Sequence, residues 1–220
     1  MTDEEKYLNN ELLKNARKPE GKLGGKLIDM MNENHESLAQ WSVKHLDVCK
    51  DDVILDIGCG GGANVERFLK MTENTVYGLD YSDIAVEKSI ERNQKEIEDE
   101  RCEIIQGSVS KMPFNDNSFD IATAFETVYF WPDFVEDLKE VRRVLKDNGI
   151  IFISNEAVPV KDNGRQKEFM ELLDAKIYSE KELKDSLCRA GFKDIACFNK
   201  ESIDSFTGDR AIWICVIAKK

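Results

Sequence analysis

The sequence predicts an α/β fold: a doubly wound, mostly parallel sheet with an antiparallel C-terminal edge hairpin and a helical N-terminal extension. Three observations carry this. Short apolar runs alternate with helix-patterned segments through the middle of the chain, as βαβ units do when helices cover both faces of a parallel sheet. The first run, Val53–Ile57, breaks into the glycine cluster Gly58-Cys59-Gly60-Gly61-Gly62. The last two runs follow one another with no clear helix between them, which calls for antiparallel pairing.

In chain order, residues 1–18 read as a polar helix with a thin apolar stripe of Tyr7, Leu8, Leu12 and Leu13. Pro19, Gly21, Gly24 and Gly25 then predict a flexible connection. Leu27, Ile28, Met31, Leu38, Trp41 and Leu46 recur near helical spacing and predict one or two helices from about Lys26 to Val48. This extension, residues 1–48, precedes the domain proper, residues 49–220. It serves either as a lid over a site or as cover for the sheet edge.

Val53–Ile57 is the first predicted strand and Ala63–Met71 the first core helix. Thr75–Leu79 is the second strand. Ser82 or Asp83 caps a helix running to about Ile97. Glu103–Gly107 and Phe119–Phe125 follow as strands. Pro132 suits the first turn of a helix carrying Phe134, Val135, Leu138, Val141, Val144 and Leu145. Asn148-Gly149 ends that helix, and Ile150–Ser154 is the fifth strand. Lys161-Asp162-Asn163-Gly164 reads as a polar loop. Ser179 with Glu182 forms a capping box for a helix ending near Gly191. Phe192–Phe198 and Ala211–Ala218 complete the sheet.

Composition excludes several classes. A charge of −12 over 220 residues repels phosphate backbones, so nucleic acid is not an expected partner. No apolar stretch reaches the length of a membrane span. The acidic start, Met1-Thr2-Asp3-Glu4-Glu5, lacks the basic-then-apolar order of a signal peptide, so a cytoplasmic location is expected. Cys49, Cys59, Cys102, Cys188, Cys197 and Cys215 form no C-x-x-C pair, and His35 and His45 are not at metal-ligand spacing. Reduced thiols, no disulfide and no metal are therefore expected.

The glycine cluster is the candidate site. Gly58, Gly60 and Ala63 satisfy the G-x-G-x-x-G/A spacing of a dinucleotide turn. Asp56 stands inside the strand end, where a structural strand would place an apolar residue. Asp80 stands at the end of the second strand, where a carboxylate can accept both hydroxyls of a ribose. Cys59 is either a nucleophile or, as expected here, a small side chain filling a tight turn.

These motifs carry a resemblance. Val-Ile-Leu-Asp-Ile-Gly-Cys-Gly-Gly-Gly is followed by Val-Tyr-Gly-Leu-Asp-Tyr-Ser, by Gly-Ser-Val-Ser-Lys-Met-Pro-Phe, by Ser-Phe-Asp-Ile-Ala and by Val-Arg-Arg-Val-Leu-Lys-Asp-Asn-Gly. In that order they resemble class I S-adenosylmethionine-dependent methyltransferases, which have a Rossmann-like sheet. The nearest group is the small-molecule one that includes the ubiquinone/menaquinone C-methyltransferases. The resemblance covers about Asp51 to the C-terminus. It implies S-adenosylmethionine as methyl donor, S-adenosylhomocysteine as product and a small, partly apolar molecule as acceptor.

The resemblance also implies roles. The turn Gly58-Cys59-Gly60 and the following helix N-terminus receive the methionine carboxylate, and Asp56 meets the ammonium directly or through water. Asp80 takes the ribose, and Tyr81 lies against the adenine. Ser108 stands where the family often has an acidic residue for the adenine amino group, and the Val109 N–H can also serve adenine. Phe125 presents a backbone carbonyl to the methionine part.

Methyl transfer by in-line displacement needs alignment and exclusion of water, and needs a base only when the acceptor must lose a proton. Tyr129, Glu126 and His35 are the catalytic candidates, with Tyr129 the first to touch the acceptor; His35 could reach the site from a lid, with a surface histidine the expected reading. The aromatics Tyr129-Phe130-Trp131 either wall an acceptor pocket or pack on the next helix. Glu126 and Glu156 are possible bases, with solvated carboxylates the expected reading. A nicotinamide-dependent oxidoreductase and a non-catalytic cofactor-binding regulator are the alternatives. The segment Phe125–Pro132 does not read Asp/Asn-Pro-Pro-Tyr/Phe, the superfamily's mark of amide or adenine N-methylation. The cysteines do not provide the set that arsenite methylation needs.

Overall fold

A computed structural model describes residues 13, 15–156, 158, 159, 164–203 and 210–220, except the side chains of residues 164, 165, 167 and 169. The sheet has seven strands in the order β3-β2-β1-β4-β5-β7-β6. They are β1 (Ile54–Ile57), β2 (Val76–Asp80), β3 (Cys102–Gln106), β4 (Phe119–Phe125), β5 (Leu145–Asn155), β6 (Lys193–Ile203) and β7 (Arg210–Lys219). β1 to β5 are parallel. β7 is antiparallel to both β5 and β6, which makes the C-terminal edge hairpin.

Side chains alternate along β1. Leu55 and Ile57 join one apolar cluster with Ala122, Ala124, Ile151 and Ile153, while Ile54 joins another with Val76, Ile121 and Phe152. The first cluster is closed by α5 (Phe134–Val144) and α7 (Glu180–Arg189) through Leu138, Val141, Leu183 and Leu187. The second is closed by α3 (Ala63–Leu69) through Val65 and Phe68. Fully burying each such side chain is worth about 1.5–3 kcal/mol, so both faces are held by dense apolar packing. α4 (Asp83–Glu98) is capped by Ser82, whose hydroxyl accepts the Ala85 N–H. The remaining helices are α1 (Gly21–Asn34), α2 (Glu36–Ser42) and α6 (Gly164–Leu173).

The chain winds from β1 outward to β3, then crosses back to place β4 on the other side of β1. This reversal opens a crevice above the C-terminal ends of β1 and β4, where ligands bind in open α/β sheets.

Three expectations need correction. The glycine-rich stretch after Pro19 is helix, not a flexible connection. At Gly24 a Cβ would fall 2.7 Å from the Pro19 carbonyl carbon, so the glycine there serves close approach. Pro132 is outside α5, because Asp133 caps it by accepting the Glu136 N–H. Asn148-Gly149 does not end α5. Leu145 already leaves it at ψ 141°, and Asn148 turns at φ 65° inside β5. The pairing shift between Phe119 and Ile121 lies opposite this turn. The capping box at Ser179 and Glu182 forms as expected. The expectations for residues 1–12 and for the loop at 161–163 lie outside the described residues.

Candidate functional site

The strand ends and the N-terminal helices enclose a cavity of about 210 Å³. Gly58, Cys59 and Gly60 line it from the turn, Asp80 and Tyr81 from the end of β2, Ser108 and Val109 from beyond β3, and Phe125 and Glu126 from the end of β4. Ile28, Met31, Asn32 and His35 line it from α1 and its C-terminal cap.

The turn is tied to β2. The N–H groups of Gly58 and Cys59 both donate to the Leu79 carbonyl, at 2.7 and 3.1 Å. Gly60 N–H donates to Asp80 Oδ2 at 2.9 Å. Gly60 has φ +52°, and a Cβ there would meet open space. Absence of a side chain thus keeps the cavity open at this point, and glycine relieves the left-handed backbone. From beneath, Arg92 donates to the Gly61 carbonyl at 3.0 Å and Asn93 to the Gly62 carbonyl at 3.3 Å. Cys59 is buried and approaches Ser89 Oγ at 3.8 Å. Burial raises its thiol well above the usual range, which fits a turn filler rather than a nucleophile.

Asp80 is 8% exposed. Its Oδ1 accepts the Ser82 N–H at 2.9 Å. Burial pushes its carboxyl up, against the hydrogen bonds from Ser82, Gly60 and Tyr81 that pull it down. Each carboxylate oxygen can take a second donor, so the pair can also receive a diol. The Tyr81 hydroxyl donates to the Arg17 carbonyl, and burial pushes it up to about 12. Ser82 Oγ donates to the Pro19 carbonyl at 2.6 Å. Arg17 in turn pairs with Asp174 beyond α6. Residues 16–19 therefore cross the Tyr81 side of the cavity.

Asp56 is placed differently from the expectation. It is 2% exposed, is not among the cavity-lining residues, and accepts the Thr123 hydroxyl at 2.7 Å. Burial pushes its carboxyl up to about 7, with the Thr123 hydrogen bond opposing and the Asp80 charge reinforcing. Ser108 is also partly committed, because its hydroxyl accepts the Ser110 N–H at 3.3 Å.

At the far end, His35, Glu126 and Glu156 meet, their ligand atoms all within 4.8 Å of one another. His35 Nε2 is 3.8 Å from Glu156 Oε2. Glu126 Oε1 accepts the Glu156 N–H and, at 3.3 Å, the Tyr129 hydroxyl. Glu156 is 5% exposed and Glu126 half-buried, so neither is the solvated carboxylate expected. Tyr129 is also corrected. It is buried in the 3-10 turn Val128–Phe130 and braces Glu126, while Phe130 and Trp131 line the cavity in its place. The grouping joins the cap between α1 and α2, the end of β4 and the end of β5. These positions are too far apart in sequence for a spacing rule to link them.

Residues 55–153 match the family model described as a methyltransferase domain. Over that stretch, somewhat under half of the chain, the sequence is similar to methyltransferase domains. Sterol 24-C-methyltransferase erg6 of Aspergillus fumigatus is 34% identical over 97 residues, which is 44% of this chain and 26% of that protein. The chain spans well under half the length of the curated relatives it matches. Among solved structures, phosphoethanolamine N-methyltransferase 2 of Haemonchus contortus, bound to S-adenosyl-L-methionine, superposes with a TM-score of 0.76. It has 18% identity, over 89% of this chain and 57% of that one. The (4+2)-cyclase SpnF superposes at 0.66 with 17% identity, over 90% of this chain and 81% of that one. At these identities the likenesses show the fold alone, and in SpnF that fold carries a (4+2) cyclisation.

Proposed function

We propose that the chain transfers the methyl group of S-adenosylmethionine to a small, partly apolar acceptor by in-line displacement. The observation that carries this reading is the Asp80 carboxylate, which lines the cavity while holding Gly60 N–H at 2.9 Å. A carboxylate there, against a turn kept open by glycine, supports a ribose-binding role for Asp80. The donor supplies an electrophilic methyl on a sulfonium.

The chain's own residues bind and align. Asp80 takes the ribose hydroxyls, Tyr81 lies along the adenine, and Ser108 and the Val109 N–H face its edge. Phe125 offers its carbonyl to the methionine end. Asp80 supplies the charge that favours the donor's ammonium, and Asp56 stands behind the cavity wall, where a bound ammonium would draw its raised carboxyl toward ionisation. Phe130 and Trp131 exclude water from the acceptor end. Of the N-terminal extension, α1, α2 and residues 16–19 act as a lid on the domain formed by residues 49–220.

Isothermal titration with S-adenosylhomocysteine tests the assignment. The parent chain should bind, and Asp80→Ala should bind at least tenfold more weakly. Unchanged affinity refutes the ribose role.

A further inference from the structure

We infer that Asn32 of α1 is a specificity-determining residue that holds the carboxylate of the methyl donor, so the lid recognises the whole donor and not its nucleoside alone. The inference rests on the methyltransferase reading of the same cavity. Asn32 lines the cavity and is half-buried. Its side-chain amide makes no hydrogen bond among the described residues. A carboxamide on a cavity wall offers two N–H donors, which leaves it available to a polar ligand atom.

Gly61 shows how closely the lid helix meets the turn. A Cβ at Gly61 would lie 2.5 Å from Asn32 Nδ2 and 2.6 Å from Ile28 Cγ2. Gly61, unlike Gly60 and Gly62, is not in the left-handed region. Glycine at this position therefore serves the approach of α1 rather than the course of the backbone. The helix itself is a fixed platform. Leu27 and Ile28 are buried, and Asp29 pairs with Lys88 of α4 at 2.7 Å. A side chain carried on a packed helix is held more precisely than one on a loop.

The neighbouring groups select the ligand atom. Asn64 and Arg67 line the same cavity from α3. Arg67 Nε donates to Asn64 Oδ1 at 3.2 Å, which engages that oxygen and leaves Asn64 its N–H groups. Arg67 has donors only, and one of its Nη atoms holds Glu36 of α2 at 2.6 Å. The α3 side of the turn is thus rich in N–H donors and carries a positive charge. A carboxylate is the ligand group that accepts without donating and answers that charge. Asp80, which holds the Gly60 N–H, marks the nucleoside side of the same turn. The two ends of an amino acid–nucleoside conjugate are sorted by these two walls.

Equilibrium titration with two ligands tests this without turnover. S-adenosylhomocysteine carries the amino-acid end, and 5′-methylthioadenosine has the same nucleoside and thioether without it. The parent chain should bind S-adenosylhomocysteine at least tenfold more tightly than 5′-methylthioadenosine. Asn32→Ala should weaken S-adenosylhomocysteine at least tenfold and leave 5′-methylthioadenosine within twofold of the parent. Asn32→Asp sets a carboxylate against a carboxylate and should weaken S-adenosylhomocysteine further. Gly61→Ala adds a methyl that displaces Asn32 and Ile28 and should show the same selective loss. If an Asn32 variant fails to fold by circular dichroism, Gly61→Ala decides. Asp80→Ala, by contrast, should weaken both ligands. Unchanged S-adenosylhomocysteine affinity in the folded variants, an equal loss for both ligands, or Asn32→Asp binding as tightly as the parent overturns the inference. If the parent binds both ligands alike, the methyltransferase reading stands and this inference alone falls. If the parent binds neither, both fall.

Discussion

Replacing Asp56 with Asn should alter how stability depends on pH. Asp56 is 2% exposed, and its carboxylate accepts the Thr123 hydroxyl at 2.7 Å. Burial first, and the Asp80 charge after it, carry the carboxyl from an ordinary 3.8 to about 7. Between those values the native chain keeps a proton that the unfolded chain has released. Raising the pH through this window therefore favours unfolding, and the native state is most favoured at the acid end. At 1.36 kcal/mol per pH unit the whole displacement is worth about 4 kcal/mol, of which roughly 3 falls between pH 5 and pH 9. Asn is a neutral isostere whose carbonyl can take the Thr123 hydroxyl. Urea unfolding followed by circular dichroism at pH 5, 7 and 9 should show the variant gaining about 3 kcal/mol on the parent, most of it by pH 7. A difference that stays constant with pH, or moves the other way, would refute a buried carboxyl at this position.

Other consequences follow from the same geometry. Asp80→Ala should lower stability as well as donor affinity, because it orphans the N–H groups of Gly60 and Ser82, at about 1–3 kcal/mol each if they stay dry. Comparing its urea midpoint with Asp80→Asn separates the two effects. Gly60→Val puts a side chain into open cavity space at φ +52°. It should abolish S-adenosylhomocysteine binding in a titration and cost about 1–3 kcal/mol of backbone strain. Ser179→Ala removes the capping box of α7, which lies away from the cavity. It should cost about 0.5–2 kcal/mol in chemical denaturation and leave donor affinity unchanged.

The central sheet was legible because its signals are local. The apolar run of β1, the glycine turn and the carboxylates at the strand ends each announce themselves within a few residues, and β4 matches Phe119–Phe125 at both ends. Errors arose where two local signals competed. Asn148-Gly149 resembles a helix stop, yet the helix had already ended at Val144, and the pair makes a turn within β5. The glycines after Pro19 resemble a linker, but tertiary packing recruits them into α1. The His35–Glu126–Glu156 grouping could not be read from spacing, because it depends on how α1 lies across the ends of β4 and β5. Tyr129 was misjudged because the 3-10 turn at Val128–Phe130 rotates it inward and sends Phe130 to the cavity.

The most direct measurement is a thermal-shift comparison of the parent chain with S-adenosylhomocysteine and, in parallel, with NAD. A ligand that binds only the native state must raise the melting temperature. The melting temperature should rise with S-adenosylhomocysteine concentration and not with NAD. A rise with NAD alone would contradict it.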